Sequence, residues 1–260
     1  MEIIIQPNIT AASRIGARLI AGQMRRKPAS VLGLATGNSP IPLYAELARL
    51  HREENLDFAR VRTFNLDEFI GLSPDHPGSY HVFMKAHLFD HINVPPAGIH
   101  IPDGLAADVE ETCRRYEEEI RACGGIDVQV LGVGSDGHIG FNEPTSSLAS
   151  RTRIKTLTDG TRRDNASGFG RPEDVPYHVL TMGIGTIMES RTCLLLAFGR
   201  KKAKAVAAMA EGPITAMVPA SILQMHPRAV VLLDEEAAAA LTRADYYRWV
   251  YDHKPDWQKI

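Results

Sequence analysis

The segment from residue 132 to residue 144 carries the densest set of side chains that could move protons. Asp136, His138 and Glu143 lie within one stretch of eight residues, and glycines between them allow tight backbone turns. An imidazole flanked by two carboxylates can be held in one tautomer and kept basic enough to transfer protons near neutral pH. The pattern therefore predicts an acid–base relay. The alternative is an Asx turn beside an exposed histidine, because Asp-Gly and Asn-Glu-Pro also favour turns.

A second pair of acids, Asp67 and Glu68, stands in the apolar frame of residues 64–69 (FNLDEF). Adjacent residues of a strand point in different directions, so at most one of the two carboxylates is expected to face a cleft. A carboxylate placed there could remove a proton next to a carbonyl or an imine, provided that its pKa suits the task. The alternative is a carboxylate that caps the next turn.

Two places could bind an anion such as a phosphate. The first consists of four residues before a predicted helix: Thr36, Gly37, Asn38 and Ser39. Ser39 is predicted to be the N-cap and Pro40 the first-turn residue, and free N–H groups at a helix start attract anions. Lys202 is predicted to begin another helix, where it would add a point charge to a phosphate. The alternatives are a simple capped turn and a solvated lysine.

Metal binding is the competing use of the histidines and acids. His87 and His91 are four residues apart on a predicted helix, and Asp136 and His138 could also ligate a metal. However, the segment between His87 and His91 lacks the glutamate of the zincin pattern, and no third ligand has a convincing spacing. We therefore predict no metal site, with His87 and His91 on a helix surface or partly buried.

Apolar runs that alternate with segments of helical spacing must position these residues. The runs cover residues 3–5, 30–35, 60–64, 126–131, 192–197 and 229–233, and the helical segments lie near 9–26, 40–53, 79–91, 107–123, 201–211 and 219–225. This alternation predicts an α/β fold, an open and mostly parallel sheet with helices on both faces. Such sheets bind ligands beyond the carboxyl ends of their strands, which is where the candidate residues fall.

Two further segments are predicted outside this alternation. The alanine-rich run at residues 235–241 is expected to be a helix. Residues 158–176 are polar, contain Gly and Arg, and have little periodicity, so they are predicted to form a mobile surface lid.

The composition is that of an ordinary globular protein. The chain has 260 residues, 44% of them hydrophobic and 23% charged, with a formal charge of −2. We expect one domain over residues 1–260, no nucleic-acid partner, and neither a signal peptide nor a membrane span. The three cysteines cannot form an even disulfide framework, so reduced thiols in the cytoplasm are expected.

Taken together, several segments resemble the glucosamine-6-phosphate deaminase family of aminosugar-phosphate isomerases. They run in the same order along nearly the whole chain: 31–40 (VLGLATGNSP), 63–69 (TFNLDEF), 132–144 (GVGSDGHIGFNEP), 146–156 (SSLASRTRIKT), 199–204 (GRKKAK) and 223–227 (LQMHP). The resemblance implies a Rossmann-like, NagB-type fold. It also implies the reversible conversion of glucosamine 6-phosphate to fructose 6-phosphate and ammonia, without a metal or an organic cofactor.

The resemblance further implies a role for each candidate acid–base residue. Asp67 matches the base that moves a proton between C2 and C1 of the opened sugar. His138 matches the acid–base group that opens the ring, with Asp136 and Glu143 as its flanking carboxylates. These residue types suit the chemistry, because ring opening and the shift of a double bond both require positioned proton transfer.

For the substrate phosphate, Asn38 and Ser39 match the family's phosphate loop, and Lys202 matches its phosphate lysine. The chain departs from the family in the lid, where Ser167 stands in place of the usual arginine. A serine cannot make a bidentate charged contact with phosphate. Three lid arginines could substitute for it: Arg171, Arg162 and Arg163.

Some members of the family are hexamers that N-acetylglucosamine 6-phosphate activates at a second site. Ser147, Arg153 and Lys155 match positions of that allosteric site, and Tyr247 is a candidate for its tyrosine. The resemblance therefore implies a homo-oligomer, with a hexamer as the specific expectation, and N-acetylglucosamine 6-phosphate as an activator.

Three other functions compete with the deaminase. The same motifs serve a galactosamine-6-phosphate deaminase, and a 6-phosphogluconolactonase-like hydrolase has a related fold and also takes a sugar phosphate. A non-catalytic sugar-phosphate sensor is the third, although the chain lacks a helix-turn-helix module and a basic face. The frame around Asp67 and the ending Phe-Asn-Glu-Pro at 141–144 favour the deaminase.

Overall fold

The computed structural model describes residues 1–258, apart from the side chains of Ser167 and Asp256. The described strands are β1 (Glu2–Gln6), β2 (Val31–Leu34), β3 (Arg62–Asn65), β4 (Asp67–Phe69), β5 (Ile99–His100), β6 (Val128–Gly132), β7 (Arg153–Thr156), β8 (His178–Thr181), β9 (Cys193–Ala197) and β10 (Ala229–Asp234). The helices are α1 (Ile9–Arg26), α2 (Ile41–Glu54), α3 (Tyr80–His87), α4 (Val109–Ala122), α5 (Asp159–Asp164), α6 (Ile184–Met188), α7 (Ala203–Glu211) and α8 (Ala244–Asp252).

Seven strands form the main sheet in the order β1-β10-β9-β6-β2-β3-β5, and every neighbouring pair is parallel. All six predicted apolar runs contribute strands to it, so the predicted parallel α/β sheet is confirmed. The chain starts at the edge strand β1 and crosses to β2, from which it moves outward through β3 to β5; it then returns to β6 and moves outward through β9 to β10, beside β1. The order therefore reverses between β2 and β6, and a crevice opens beyond their carboxyl ends.

Helix α1 packs closely between α2 and the sheet. Asn8 begins the helix by accepting a hydrogen bond from the Ala11 N–H at 2.9 Å, which is an N-cap contact. Gly16 then allows the close approach, because a Cβ atom there would lie 3.0 Å from Leu43 and 3.1 Å from Leu232. A larger residue at this position would push α1 away from the sheet that carries the crevice.

A second, three-stranded antiparallel sheet has the order β4-β8-β7 and was not predicted. It begins directly after β3, where the Leu66 N–H donates to the Leu34 carbonyl and the Leu66 carbonyl accepts from Met182. This small sheet holds Asp67 at the mouth of the crevice. Its strands are only three or four residues long, which is too short for a reliable hydrophobic pattern.

The predicted helix at residues 235–241 is wrong, because residues 235–240 form consecutive turns instead. The carboxylate of Asp234, at the end of β10, accepts hydrogen bonds from the N–H groups of Ala237 at 2.8 Å and of Gly199 at 3.0 Å. Because the Asp234 carboxylate provides hydrogen-bond acceptors for backbone N–H groups in a turn, the helix propensity of alanine does not decide the conformation here.

The predicted lid at residues 158–176 contains local structure. It consists of α5 and two short 3₁₀ segments, Ala166–Gly168 and Pro172–Asp174. The Arg162 side chain is buried and donates to the carbonyls of Val175 and Glu173, which ties the two halves of the segment together. Among the helices of the described residues, none has the length and apolar character that a bilayer crossing requires.

Candidate active site

A cleft of about 240 Å³ lies beyond the carboxyl ends of β2 and β6. It brings together residues from four predicted loops and from the lid. Its lining consists of Ala35, Thr36, Gly37, Asn38, Ser39, Leu66, Asp67, Tyr80, Gly132, Val133, Gly134, His138, Gly140, Phe141, Asp164, Asn165 and Lys202. Most of the predicted site residues therefore meet in one place.

The loop of residues 36–39 reaches the cleft through a left-handed turn at Gly37, whose φ is 92°. Helix α2 begins at Ile41 with Pro40 at the N-cap position, so the prediction of Ser39 as the N-cap is wrong. Pro40 already has helical dihedral angles, and within the described residues no side chain caps this helix start. Pro40 and Pro42 have no N–H, so the N–H groups of Ile41 and Leu43 are the ones that this helix start leaves for an anion.

His138 lies against the glycine-rich backbone of the loop after β6. A Cβ atom at Gly134 would lie only 2.2 Å from the His138 ring, so this position requires glycine. The Nδ1 atom of His138 is 2.7 Å from Oδ1 of Asp136, which also accepts the His138 backbone N–H at 3.1 Å. Burial opposes ionisation of Asp136, yet these contacts with His138 lower the pKa of its carboxyl below the ordinary value.

Glu143 contacts the lid rather than His138 in the described structure. Its Oε1 atom accepts hydrogen bonds from Thr161 Oγ1 at 2.5 Å and from the Thr158 N–H and hydroxyl at 3.2 Å each. The side chain is buried and does not line the cleft. In the described structure Glu143 therefore does not flank His138, as the resemblance implied, but anchors the start of α5.

Both alternatives for the acidic pair occur together. Asp67 lines the cleft and is buried, and its burial and the charge of Glu68 raise the pKa of its carboxyl well above the ordinary value. Glu68 points to the start of α3, where it accepts from the Tyr80 N–H at 2.9 Å and from its neighbour Phe69 at 2.8 Å. Burial raises the pKa of Glu68 to about 7 despite these hydrogen bonds.

Tyr80 is a lining residue that the sequence did not indicate. Its ring packs on Phe69, with centroids 5.1 Å apart, and it lines the cleft together with Thr36 and Asp67. Burial and the nearby charge of Asp67 raise the pKa of Tyr80, so the phenol stays protonated and can donate a hydrogen bond in the cleft.

Lys202 is half-buried and lines the same cleft. Burial lowers the pKa of its ammonium group, and the carboxylates of Asp164 and Asp136 act against this effect. Asp164 and Asn165 come from the end of α5 and were not predicted as site residues.

The three lid arginines lie outside the cleft lining. Arg171 is exposed and pairs with Asp174 at 2.8 Å, and Arg162 is buried with its guanidinium 3.8 Å from the centre of the Tyr177 ring. Arg163 is exposed. The expected substitution of a lid arginine is therefore absent from this conformation of the described residues, and the side chain of Ser167 lies outside them.

The residues predicted for a second site lie on different elements: Arg153 and Lys155 are on β7, Ser147 precedes that strand, and Tyr247 is on α8. Ser147 is exposed, and Lys155 is half-buried on β7. Arg153 turns inward and donates to Asn142 Oδ1 at 2.9 Å and to the Arg151 carbonyl at 3.2 Å. Tyr247 lies on α8, where it contacts Glu211. In the described part of the chain, no group of three or more His, Cys, Asp or Glu side chains is arranged to hold a metal ion.

Comparison with known proteins agrees with this arrangement. Residues 8–232 match the family described as glucosamine-6-phosphate isomerases/6-phosphogluconolactonase. A glucosamine-6-phosphate deaminase from Arthrobacter sp. (strain FB24) is 54% identical over 260 residues, which is 100% of both chains. One from Hahella chejuensis (strain KCTC 2396) is 54% identical over 250 residues, 96% of this chain and 95% of that one.

Solved structures give the same result for the fold. The structure of a monomeric glucosamine-6-phosphate deaminase of the NagB superfamily has a TM-score of 0.91 at 46% identity, covering 92% of this chain and 100% of the other. A 6-phosphogluconolactonase from Trypanosoma brucei has a TM-score of 0.73 at 22% identity, covering 93% and 98%, and so shares the fold alone. The chain belongs to the family of glucosamine-6-phosphate isomerases and 6-phosphogluconolactonases.

Proposed function

We propose that the protein converts glucosamine 6-phosphate to fructose 6-phosphate and ammonia in amino sugar catabolism. The observation that carries this proposal is the meeting, in one cleft, of the buried carboxylate of Asp67, a histidine paired with an aspartate, the loop of residues 36–39 and a lysine. The relatives that share about half of the residues over the full length are named for this activity, which supports the same conclusion.

His138 would act first, on the closed ring of the sugar. Ring opening breaks the bond between C1 and the ring oxygen, transfers a proton to the ring oxygen and removes one from the C1 hydroxyl. Asp136, 2.7 Å from Nδ1, orients the imidazole so that its other nitrogen can carry this proton. Residues 36–39, which lead into α2, and Lys202 would hold the phosphate meanwhile.

Asp67 would act second, on the opened chain. It removes the proton from C2, which gives an enolamine, and returns a proton to C1, which gives an imine at C2. Water then adds to the imine carbon and ammonia leaves. Burial makes the Asp67 carboxylate a stronger base than an exposed aspartate, as the weak acidity of a C2–H bond requires.

The deciding experiment measures ammonia released by the purified protein from glucosamine 6-phosphate, with galactosamine 6-phosphate in parallel. We expect rapid release from the gluco epimer. Release from the galacto epimer alone would favour a galactosamine-6-phosphate deaminase. No release from either, with a folded protein, would contradict the proposal and direct attention to a lactonase or a sensor.

The two buried carboxyls predict a pH dependence. Burial and the charge of Glu68 raise the pKa of Asp67, and burial raises that of Glu68 to about 7, so the pair takes up protons well above the range of exposed acids. The base must be unprotonated, so kcat is expected to fall as the pH drops, with an acid limb well above the pH range in which exposed aspartates titrate, and to level off at higher pH. An acid limb near pH ~4 would contradict this. Glu68→Gln should move the limb to lower pH, because a neutral neighbour no longer raises the pKa of Asp67.

The cellular setting and assembly are part of the proposal. The three cysteines are free thiols, which supports an enzyme of the cytoplasm. The family resemblance predicts a homo-oligomer, whereas the relative of 46% identity is described as monomeric, so light scattering on the purified protein decides between a monomer and a hexamer. The same assay with added N-acetylglucosamine 6-phosphate tests the expected activator and the roles of Ser147, Arg153 and Lys155.

A further inference from the structure

Two residues of opposite charge, Lys202 and Asp164, line the part of the cleft where the phosphate is proposed to bind. Among the described residues that line the cleft, Lys202 is the only lysine or arginine, and Asp164, an exposed residue at the end of α5, lines it as well. Asp164 acts on Lys202 through space, since no direct ion pair joins the two among the described contacts. A phosphate dianion that enters therefore meets one attractive charge and one repulsive charge.

Among the described lid residues, no arginine or lysine lines the cleft to balance the negative charge of Asp164. The Arg162 guanidinium is held by the carbonyls of Val175 and Glu173, and the Arg171 guanidinium is paired with Asp174. Both contacts fix these side chains away from the cleft in the described conformation. The remaining attraction for a phosphate comes from Lys202 and from the polar groups of residues 36–39.

The position of Asp164 is set by helix α5. Thr158 and Thr161 bind Glu143 at the start of this helix, and the Asn165 side chain closes its end by donating to the Thr161 carbonyl at 2.8 Å. The helix therefore spans from the buried Glu143 carboxylate to the phosphate end of the cleft. Asp164, its last residue, is carried into the cleft by this anchored segment rather than by a free loop.

We propose that Asp164 is a specificity-determining residue that limits the affinity of the cleft for the phosphate group. It offsets the charge of Lys202 in the empty cleft and repels a bound dianion, so that recognition of the phosphate depends on the neutral donors of residues 36–39. This inference rests on the proposed function, because it takes the phosphate of the sugar as the ligand.

The test is calorimetric titration with glucitol 6-phosphate, which has the phosphate and the open carbon chain but no carbonyl to react. Asp164→Asn is expected to tighten binding about 5- to 10-fold at low ionic strength, the effect of removing one like charge in a partly solvated site. The gain should shrink in about 0.5 M salt, because screening weakens the repulsion. Asp159→Asn is the matched control, since Asp159 lies on the same helix, is exposed and does not line the cleft.

Unchanged affinity in Asp164→Asn would overturn the inference, and so would weaker binding, which would mean that Asp164 holds Lys202 in place for the ligand. An equal gain in Asp159→Asn would also overturn it, because the effect would then come from net charge alone. The probe is not turned over, so the result does not depend on catalysis. Wild-type protein that binds glucitol 6-phosphate but releases no ammonia would contradict the proposed function and leave this inference standing.

Discussion

Replacement of Asp67 with asparagine is expected to lower kcat for ammonia release by about 10²- to 10⁴-fold, the usual contribution of a positioned general base. The amide has nearly the same shape as the carboxylate but cannot take the proton from C2. KM should change little, because the amide keeps the shape of the carboxylate and because other residues, the loop of residues 36–39 and Lys202, would hold the phosphate.

The Asp67→Asn protein should remain folded and at least as stable as the wild type near pH 8. Burial disfavours the charged form of Asp67, so a neutral amide removes an unfavourable buried charge. Thermal unfolding checks this point. Asp57→Asn, at an exposed residue outside the cleft, is the control and should keep the wild-type kcat. An Asp67→Asn enzyme with near wild-type turnover would exclude Asp67 as the base.

Replacement of His138 with asparagine is expected to lower kcat for ammonia release by about 10²- to 10³-fold, because the closed ring then opens without a positioned acid–base group. The control is His253→Asn, since His253 lies just after α8, away from the cleft, and bonds only to its own helix turn in the described contacts.

Solvent exchange separates the two steps. Fructose 6-phosphate incubated with ammonium in heavy water should exchange a C1 hydrogen in the wild type, because this exchange needs the proton transfer of Asp67. The ketose opens its own ring without the enzyme, so His138→Asn should keep exchange within about tenfold of the wild type, whereas Asp67→Asn should lose it. Loss of exchange in both variants would show that His138 is not confined to ring opening.

The main sheet could be predicted from the sequence because its strands are buried on both faces. Strands such as β9 and β10 are continuous apolar runs, and the helices between them follow a regular spacing. The small antiparallel sheet could not be predicted in this way. Its β7 strand alternates between half-buried and exposed residues over only four positions, and its central strand β8 pairs with β4, which lies more than 100 residues earlier in the chain.

The residues of the candidate site likewise fall into those that the sequence could predict and those that it could not. Asp67, His138 and Lys202 follow apolar runs, so the topology of a parallel sheet was enough to predict that they meet. Tyr80 and Asp164 reach the cleft from the start of α3 and the end of α5, and their sequence neighbours do not point to a strand end. The one available signal was Ser79, an N-cap residue that marks the start of α3 beside Tyr80.

The hydrogen bonds between Glu143 and the two lid threonines have a consequence for how this sequence can change over evolution. A substitution at Thr158 or Thr161 that loosens the lid also removes hydrogen-bond donors from the buried carboxylate of Glu143, which lies in the acid–base loop. A mutation selected for faster exchange of substrate and product would therefore alter the hydrogen bonds of Glu143 at the same time. We therefore expect Glu143, Thr158 and Thr161 to vary together or not at all, although the threonines lie 15 and 18 residues after Glu143 in the chain.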